Sequence, residues 1–272
     1  MQSKLYTKLY TVTFSPTGSS KLVAQAITRG LGSETGENFD ITLPTERKQH
    51  DLLPKKNDMV IFAVPTYAGR LPELAREWLQ ELKVAPGTPA ICVVLYGNRE
   101  FDDSLIELRD LVVARGYKPI AGAAFIGEHS FSNKKFPVAV GRPHKDDLDL
   151  GIKFGRDIAA HFDIDNWVSN AGELQVPGTF PYKDKKPPKA DFIAVSDACT
   201  SCGTCVTVCP ADAIDADNGF AAIVDKCILC CACIKACPEN ARSVKPGPVM
   251  DIAKRLNENC SIPKRPTFYW PE

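Results

Sequence analysis

The strongest constraint on the fold of this chain is a cysteine pattern that occurs twice. The first copy, CTSCGTCVTVCP, begins at Cys199, and the second, CILCCACIKACP, begins at Cys227. Both copies have the form C-x₂-C-x₂-C-x₃-C-P, with identical spacing. They account for eight of the 11 cysteines in the sequence. The fold of this segment must therefore bring these eight thiols together in space.

The spacing is typical of ligands to 4Fe–4S clusters. Three cysteines separated by two residues reach three corners of one cluster, and the fourth cysteine of each run ligates the other cluster. A structural zinc site is the alternative, but paired C-x₂-C motifs around one ion leave the third and fourth cysteines unexplained. We predict two ligand sets, namely Cys199, Cys202, Cys205 and Cys237 for one cluster, and Cys227, Cys230, Cys233 and Cys209 for the other.

Three cysteines fall outside this pattern. Cys231 lies between two predicted ligands and is out of register, so we expect a packed neighbour. Cys92 lies inside an apolar strand and is expected in the core. No role is assigned to Cys260, and no adjacent base marks any of the three as a nucleophile.

Composition limits the classes of partner. The chain has 272 residues with 33 Lys and Arg against 33 Asp and Glu. Zero net charge argues against a strongly basic nucleic-acid binder and a polybasic membrane-surface protein. The longest apolar runs, 59–64 and 91–96, are too short to cross a bilayer, and the start of the chain lacks a secretory signal. We expect a cytoplasmic protein, where structural disulfides are rare.

The first part of the chain alternates apolar strands with amphipathic helices. Strands buried on both faces in such an alternation favour a doubly wound, parallel, five-stranded sheet of the α/β class. The predicted strands are 9–14, 39–43, 58–65, 89–97 and 118–127. The predicted helices are 19–31, 71–82, 103–115 and 146–162.

Composition divides the chain into four parts. Residues 1–165 form the α/β domain, and 166–191, rich in Pro and Lys, form a linker. Residues 192–245 form the small cysteine-rich domain, and 246–272 form a helix, over 249–257, and an aromatic tail. We expect the tail to pack on the surface. The alternative is that it folds over a ligand or over the domain junction.

The segment after the first strand, FSPTGSSKLVA, combines hydroxyls, a glycine and an immediate helix start. Such a loop forms an anion nest. It matches neither G-x₄-G-K-[ST] nor G-x-G-x-x-G, and it suits a terminal monophosphate. The alternative is a capped helix that follows a serine-rich turn.

Two further loops follow later strands, PTYAGR at 65–70 and YGNREFD at 96–102. Doubly wound sheets bind ligands at the carboxyl ends of their strands, where the winding reverses. Tyr67, Tyr96 and Phe101 are suited to cover a planar ring there. Backbone groups of the same loops are suited to bond the ring's edge.

These loops resemble known ones. The pattern S-x-T-G-x-S-x-x-x-A resembles the FMN-phosphate signature of flavodoxins. PTYAGRLP and YGNREFDD resemble the isoalloxazine-flanking loops of anaerobe proteins that fuse a flavodoxin-like domain to a bacterial-type ferredoxin domain of α+β class with two 4Fe–4S clusters. The resemblance spans nearly the whole chain.

The resemblance implies FMN as a cofactor, with a set of binding residues for each part of it. The phosphate would be held by Ser15, Thr17, Gly18, Ser19 and Ser20. The ring would be held by Pro65, Thr66, Tyr67, Ala68, Gly69, Tyr96, Gly97, Asn98, Arg99, Phe101 and Asp102.

Some features depart from short-chain flavodoxins. The 65–70 loop has no Trp, and Arg70 and Arg99 stand where those proteins are usually acidic or neutral. Arg99 near the flavin N1/O2 edge would raise the flavin's reduction potential; the alternative is a solvated surface side chain. His129, after the fifth strand, is a candidate neighbour of the flavin.

We expect an electron-transfer flavoprotein that passes electrons between FMN, two 4Fe–4S clusters and a redox partner. The alternative is an FMN-dependent reductase of a quinone, nitro compound or enoate, with the ferredoxin domain as its electron supply. A redox sensor is a third and weaker hypothesis. The catalytic residues, electron donor, terminal acceptor and oligomeric state stay open.

Overall fold

The chain is described here from a computed structural model that covers residues 6–33, 36–48, 52–55, 57–162, 172–184 and 190–271. The first five strands are β1 Leu9–Thr13, β2 Glu37–Asp40, β3 Met59–Pro65, β4 Pro89–Tyr96 and β5 Lys118–Ile126. The helices among and after them are α1 Ser19–Gly30, α2 Pro44–Arg47, α3 Glu73–Gln80, α4 Ser104–Ala114 and α5 Lys145–His161.

The remaining elements are short. They are β6 Ile193–Val195, α6 Thr204–Thr207, β7 Ile214–Asp215, β8 Ala221–Ala222, α7 Ala232–Lys235, β9 Arg242–Val244, α8 Pro248–Asn259 and β10 Thr267–Tyr269. Strands β6 and β9 pair antiparallel, as do β7 and β8. Each of α6 and α7 contains the third cysteine of one motif copy.

The large sheet has the strand order β10-β5-β4-β3-β1-β2. Strands β1 to β5 are all parallel, and β3 and β4 are buried along their whole length. The parallel order 2-1-3-4-5 is that of flavodoxin-like sheets. The predicted fold class is therefore confirmed, and the carboxyl ends of β1, β3, β4 and β5 share one edge.

Helices cover both faces of the sheet. On one face, α1 and α5 pack so closely that a Cβ on Gly155 would lie 2.3 Å from the Ile27 carbonyl oxygen. The other face buries Trp78 of α3 and Leu105 of α4. Both cores are apolar and continuous, which holds the strand ends in fixed positions.

The second strand differs from its prediction. The sequence predicts 39–43, whereas β2 spans Glu37–Asp40. Pro44 begins the short helix α2, and Ile41 turns into the core just before it. Because proline pre-sets the first turn of a helix, it ends the extended stretch early.

A sixth strand joins the predicted five. Strand β10 pairs antiparallel with β5, and Phe268 stacks on Phe154 with ring centroids 4.7 Å apart. Phe125 contacts the Phe268 ring edge-on, with the two ring centroids 5.7 Å apart. The aromatic tail thus covers the edge of the sheet and does not merely lie on the surface.

The predicted linker, 166–191, falls partly outside the described residues. Its described part, 172–184, is held against α4. Asp103 accepts hydrogen bonds from the backbone N–H groups of Thr179 at 2.9 Å and Lys183 at 2.7 Å. Tyr182 donates to Asp110 at 2.6 Å.

The small domain packs on the sheet domain through interlocking side chains. Ile228 packs against the core of the sheet domain, and Phe131 packs against the core of the small domain. Lys235 forms an ion pair with Glu128 at 2.8 Å. Within the described ranges, no helix is long and apolar enough to span a bilayer.

We expect Phe268→Ala to lower the free energy of unfolding by about 2–3 kcal/mol, because it removes the ring that seals β5 against α5. Ile262→Ala, on a side chain that is 82% exposed, should change it by less than about 0.5 kcal/mol. Anaerobic denaturant titration measures both. Equal stabilities of the two variants would contradict the structural role of β10.

Candidate cofactor sites

The first predicted ligand set surrounds a small cavity of about 20 Å³. All four of its cysteines line that cavity, including Cys237 from the second motif copy. Arg242 and Phe220 are among the other residues that line it. The fourth cysteine of one copy therefore lies beside the first three of the other, as the motif's exchange of ligands requires.

The second predicted set is buried together. Burial raises the pKa of the Cys230 thiol, and neighbouring Cys233, Cys209 and Cys227 raise it further. Burial likewise raises the pKa of Cys233 to about 11. Thiols with such pKa values stay protonated at neutral pH unless a metal centre displaces the protons. Among the described residues, no group of His, Cys, Asp or Glu is arranged for a single metal ion.

The two motif copies share a backbone conformation that explains Cys231. Ser201 and Gly203 in the first copy have positive φ angles of 56° and 76°. Leu229 and Cys231 have φ of 59° at the equivalent positions. Cys231 thus takes the turn position that Gly203 occupies, and its buried thiol contacts the Leu229 carbonyl oxygen at 3.8 Å. This agrees with a packed neighbour.

A large cavity, of about 830 Å³, lies at the carboxyl edge of the sheet. Its volume is within the usual range for cofactor pockets. Loops after β1, β3, β4 and β5 form one wall, and residues 224–229 of the small domain form the other. Cys227, a predicted cluster ligand, is among those residues.

The hydroxyl-rich loop borders this cavity through Thr17, Ser19 and Ser20. The Ser20 hydroxyl is buried and has no hydrogen-bond partner among the described residues. Helix α1 begins at Ser19, after Gly18 with φ of 85°. The first N–H groups of a helix have no partner within it, so this corner presents donors to an anion.

Two predicted phosphate residues have other positions. Ser15 does not line the cavity; its hydroxyl accepts a hydrogen bond from the Lys21 N–H at 3.1 Å. Gly18 also does not line it and supplies the left-handed turn that starts α1. Both residues stabilise the conformation of the loop, and the neighbouring residues of the loop line the cavity.

Most residues predicted for the ring line the cavity. They are Pro65, Thr66, Tyr67, Ala68, Gly69, Tyr96, Gly97 and Arg99. Their assignment to a ring stays a prediction. The loop of 65–70 turns through Ala68 and Gly69, both with positive φ.

Three other predicted ring residues support the loops from behind. The Asn98 amide donates to the carbonyl oxygens of Cys260 at 2.7 Å and Ile262 at 2.9 Å. Phe101 packs on Tyr96 at 5.4 Å between ring centroids. Asp102 pairs with Lys183 at 2.8 Å and with Arg99. None of the three lines the cavity.

Both unusual arginines have carboxylate partners. Arg70 donates to both oxygens of buried Glu107, at 2.7 and 2.8 Å, and the Leu71 N–H donates to Glu107 at 2.9 Å. Sequence reasoning missed Glu107. Its signal is an acidic residue on the apolar face of α4. Arg99 pairs with Asp102, so its charge is already partly compensated.

Tyr67, Tyr96 and His129 are among the titratable side chains that line the cavity. Burial raises the pKa of Tyr67 well above its usual value, and burial raises the pKa of Tyr96 to about 12. Burial lowers the pKa of His129 to about 4, with Lys235 and Arg99 adding to the effect. The His129 Nδ1 accepts a hydrogen bond from the Phe131 N–H at 3.0 Å, so its proton is on Nε2.

Comparison with known proteins identifies the small domain. Residues 192–260 match the family model of the 4Fe-4S dicluster domain, beyond the predicted end at 245 and into α8. No curated protein matches the chain. The chain joins this 4Fe–4S domain to a flavodoxin-like sheet, a combination suited to a redox protein.

Solved structures similar to the chain include two flavodoxins. One, from the domain Archaea, is 16% identical, with a TM-score of 0.35 over 56% of this chain and 96% of that chain. Another, from Fusobacterium nucleatum bound to flavin mononucleotide, is 16% identical, with a TM-score of 0.36 over 57% and 98%. An apo NADH:FMN oxidoreductase is 20% identical, with a TM-score of 0.39 over 55% and 88%. The fold assignment rests on strand order.

We expect Gly69→Ala to lower the free energy of unfolding by about 3 kcal/mol or more, because the added Cβ meets Asp102. That Cβ would lie 2.2 Å from the Asp102 Oδ2, at a φ of +80°. Gly32→Ala is a matched control at φ +81° with no atom within 4 Å. It should cost only about 1–2 kcal/mol. Equal losses by denaturant titration would contradict close packing of the two ring loops.

Proposed function

We propose that this chain is an iron–sulfur flavoprotein that passes electrons between FMN and two 4Fe–4S clusters, and on to or from a redox partner. One observation carries the proposal. A single cavity of about 830 Å³ is bounded by the strand-end loops on one side and by Cys227 on the other. A ligand of the sheet domain and a cluster of the small domain would therefore share a wall.

The residues around α1 fit the phosphate of FMN. The buried Ser20 hydroxyl lacks a partner among the described residues, which is costly unless a ligand supplies one. Thr17 and Ser19 add hydroxyls on the same wall. The start of α1 contributes N–H groups and the positive end of the helix dipole.

The cysteines fit two clusters. Cys199, Cys202, Cys205 and Cys237 share one small cavity, and the buried thiols of the second set raise one another's pKa values. FMN exchanges one or two electrons, and a 4Fe–4S cluster exchanges one. A protein with both cofactors can therefore link one-electron carriers to two-electron carriers. The thiols of Cys230 and Cys231 are close enough to raise the pKa of Tyr67, which also lines the large cavity.

The pKa values of three candidate proton donors in the cavity wall, Tyr67, Tyr96 and His129, favour a carrier over a reductase. A reductase of a small acceptor needs a proton donor with a pKa near the working pH. Burial moves the pKa values of Tyr67 and Tyr96 upwards and that of His129 downwards, away from neutrality. None of these three candidates is suited to deliver a proton at pH 7.

The central test is anaerobic purification followed by iron, sulfide and flavin analysis. We expect about eight irons and one FMN per chain. Cys227→Ala should lose about half of the iron, whereas Cys231→Ala should keep all of it, because only Cys227 belongs to a ligand set. Zinc in place of iron, or equal losses in the two variants, would contradict the cluster assignment. Rapid turnover of quinones, nitro compounds or enoates would favour the reductase.

The flavin site has its own matched pair of variants. We expect Ser20→Ala to raise the FMN dissociation constant by about 10- to 100-fold, because a hydrogen bond to a charged phosphate is lost. Thr28→Ala also removes a buried hydroxyl of α1 that has no hydrogen-bond partner in the described ranges, but Thr28 does not line the cavity. It should leave the dissociation constant within about twofold. Flavin fluorescence titration measures both, and equal effects would contradict the phosphate site.

A further inference from the structure

The internal repeat singles out Arg242. The motif copies continue as CPADAI and CPENAR, so Arg242 stands five residues after Cys237 just as Ile214 stands five residues after Cys209. Ile214 packs against the apolar core of the small domain. The second copy therefore carries a permanent positive charge where the first copy carries a methyl-rich side chain.

Arg242 is buried. Its relative exposure is 4%, and it is the sole buried Lys or Arg in the described ranges. Arginine remains protonated in proteins, so this burial encloses a full charge. A buried charge is strongly unfavourable unless an opposite charge or a set of acceptors compensates it.

The guanidinium is only partly satisfied. The Arg242 Nη1 donates to the Phe220 carbonyl oxygen at 2.7 Å. Nε and Nη2 are buried and have no oxygen or nitrogen acceptor among the described residues; the neighbouring polar side chain is the Cys233 thiol. Buried donors of this kind require an explanation, and a missing anionic ligand is one that satisfies both the hydrogen bonds and the charge.

The side chain lies between the two predicted ligand sets. It lines the small cavity with Cys199, Cys202, Cys205 and Cys237. The guanidinium also lies beside the Cys233 thiol of the second set, and its charge opposes the burial-induced rise in pKa there and at Cys205 and Cys227. The sulfurs of a cluster in the small cavity would be available as acceptors for Nε and Nη2.

We propose that Arg242 is a positioning residue that sets the reduction potential of the cluster held by Cys199, Cys202, Cys205 and Cys237. This inference rests on the proposed function. Its Nε and Nη2 N–H groups donate to sulfur atoms of that cluster, and its charge favours the reduced form. One-electron reduction adds one negative charge to the cluster, with the electron taken from the reductant. Net charge and hydrogen bonds to sulfur are established determinants of cluster potential.

The test is an anaerobic redox titration of the holoprotein, with the clusters followed by electron paramagnetic resonance. Arg242→Ile installs the side chain that the first motif copy has at this position. We expect it to lower the equilibrium constant for reduction of one cluster at least tenfold, a shift of about 59 mV for one electron. Arg255→Gln, on the exposed face of α8, is the control for net charge and should shift the constant less than about twofold.

Two further variants separate charge from structure. Arg242→Lys keeps the charge and should restore most of the potential, whereas Arg242→Gln keeps a donor without charge and should not. If Arg242→Ile does not retain iron, this pair decides the question. Equal midpoints for Lys and Gln, or an unshifted Arg242→Ile with full iron content, would overturn the proposal. Iron-free wild-type protein would overturn the proposed function together with it, which distinguishes the two failures.

Discussion

The packing of the small cysteine-rich domain onto the carboxyl edge of the sheet determines the rest of the structure. Ile228 of the small domain packs against the core of the sheet domain, and Phe131 of the sheet domain packs against the core of the small domain. Buried apolar contacts of this kind fix two surfaces more firmly than an exposed ion pair such as Glu128 with Lys235. The cavity between the two domains owes its shape to this contact.

The charged groups of the two domains are distributed unevenly around the two cavities. The chain as a whole carries no net charge, and the walls of its two cavities contain carboxylates as well as groups that suit anions. The proposed phosphate site has the hydroxyls and the start of α1, and the proposed cluster site beside Cys237 has the buried guanidinium of Arg242. Arg70, by contrast, is neutralised by Glu107 and holds the 65–70 loop against helix α4. Arg70 thus has a structural role, whereas the role proposed for Arg242 is toward a ligand.

The sequence predicted much of the fold because its strongest signals are local. Strands β3, β4 and β5 are long apolar runs, and the cysteine spacing dictates its own pairing across the two motif copies. Strand β10 was missed because three residues flanked by prolines carry no periodic signal, and their pairing with β5 is a tertiary effect.

The same limit applied within the site. The loops that line the cavity could be identified from their place after strands, but the direction of each side chain could not. Asn98 and Asp102 belong to the predicted loop and yet point away from the cavity, towards the tail and towards Lys183. Their partners lie far along the chain, so no local pattern marks them.

The position of β10 has a consequence for how the two domains are connected. Because β5 and β10 are neighbours in one sheet, everything between them, including the small domain, is an insertion between adjacent strands and not an appended module. An inserted domain is anchored where it leaves the parent domain and again where it returns. Segment 172–184 and the Asn98 contacts with Cys260 and Ile262 are these two anchors. Two-point attachment fixes orientation as well as proximity, which a single flexible tether does not.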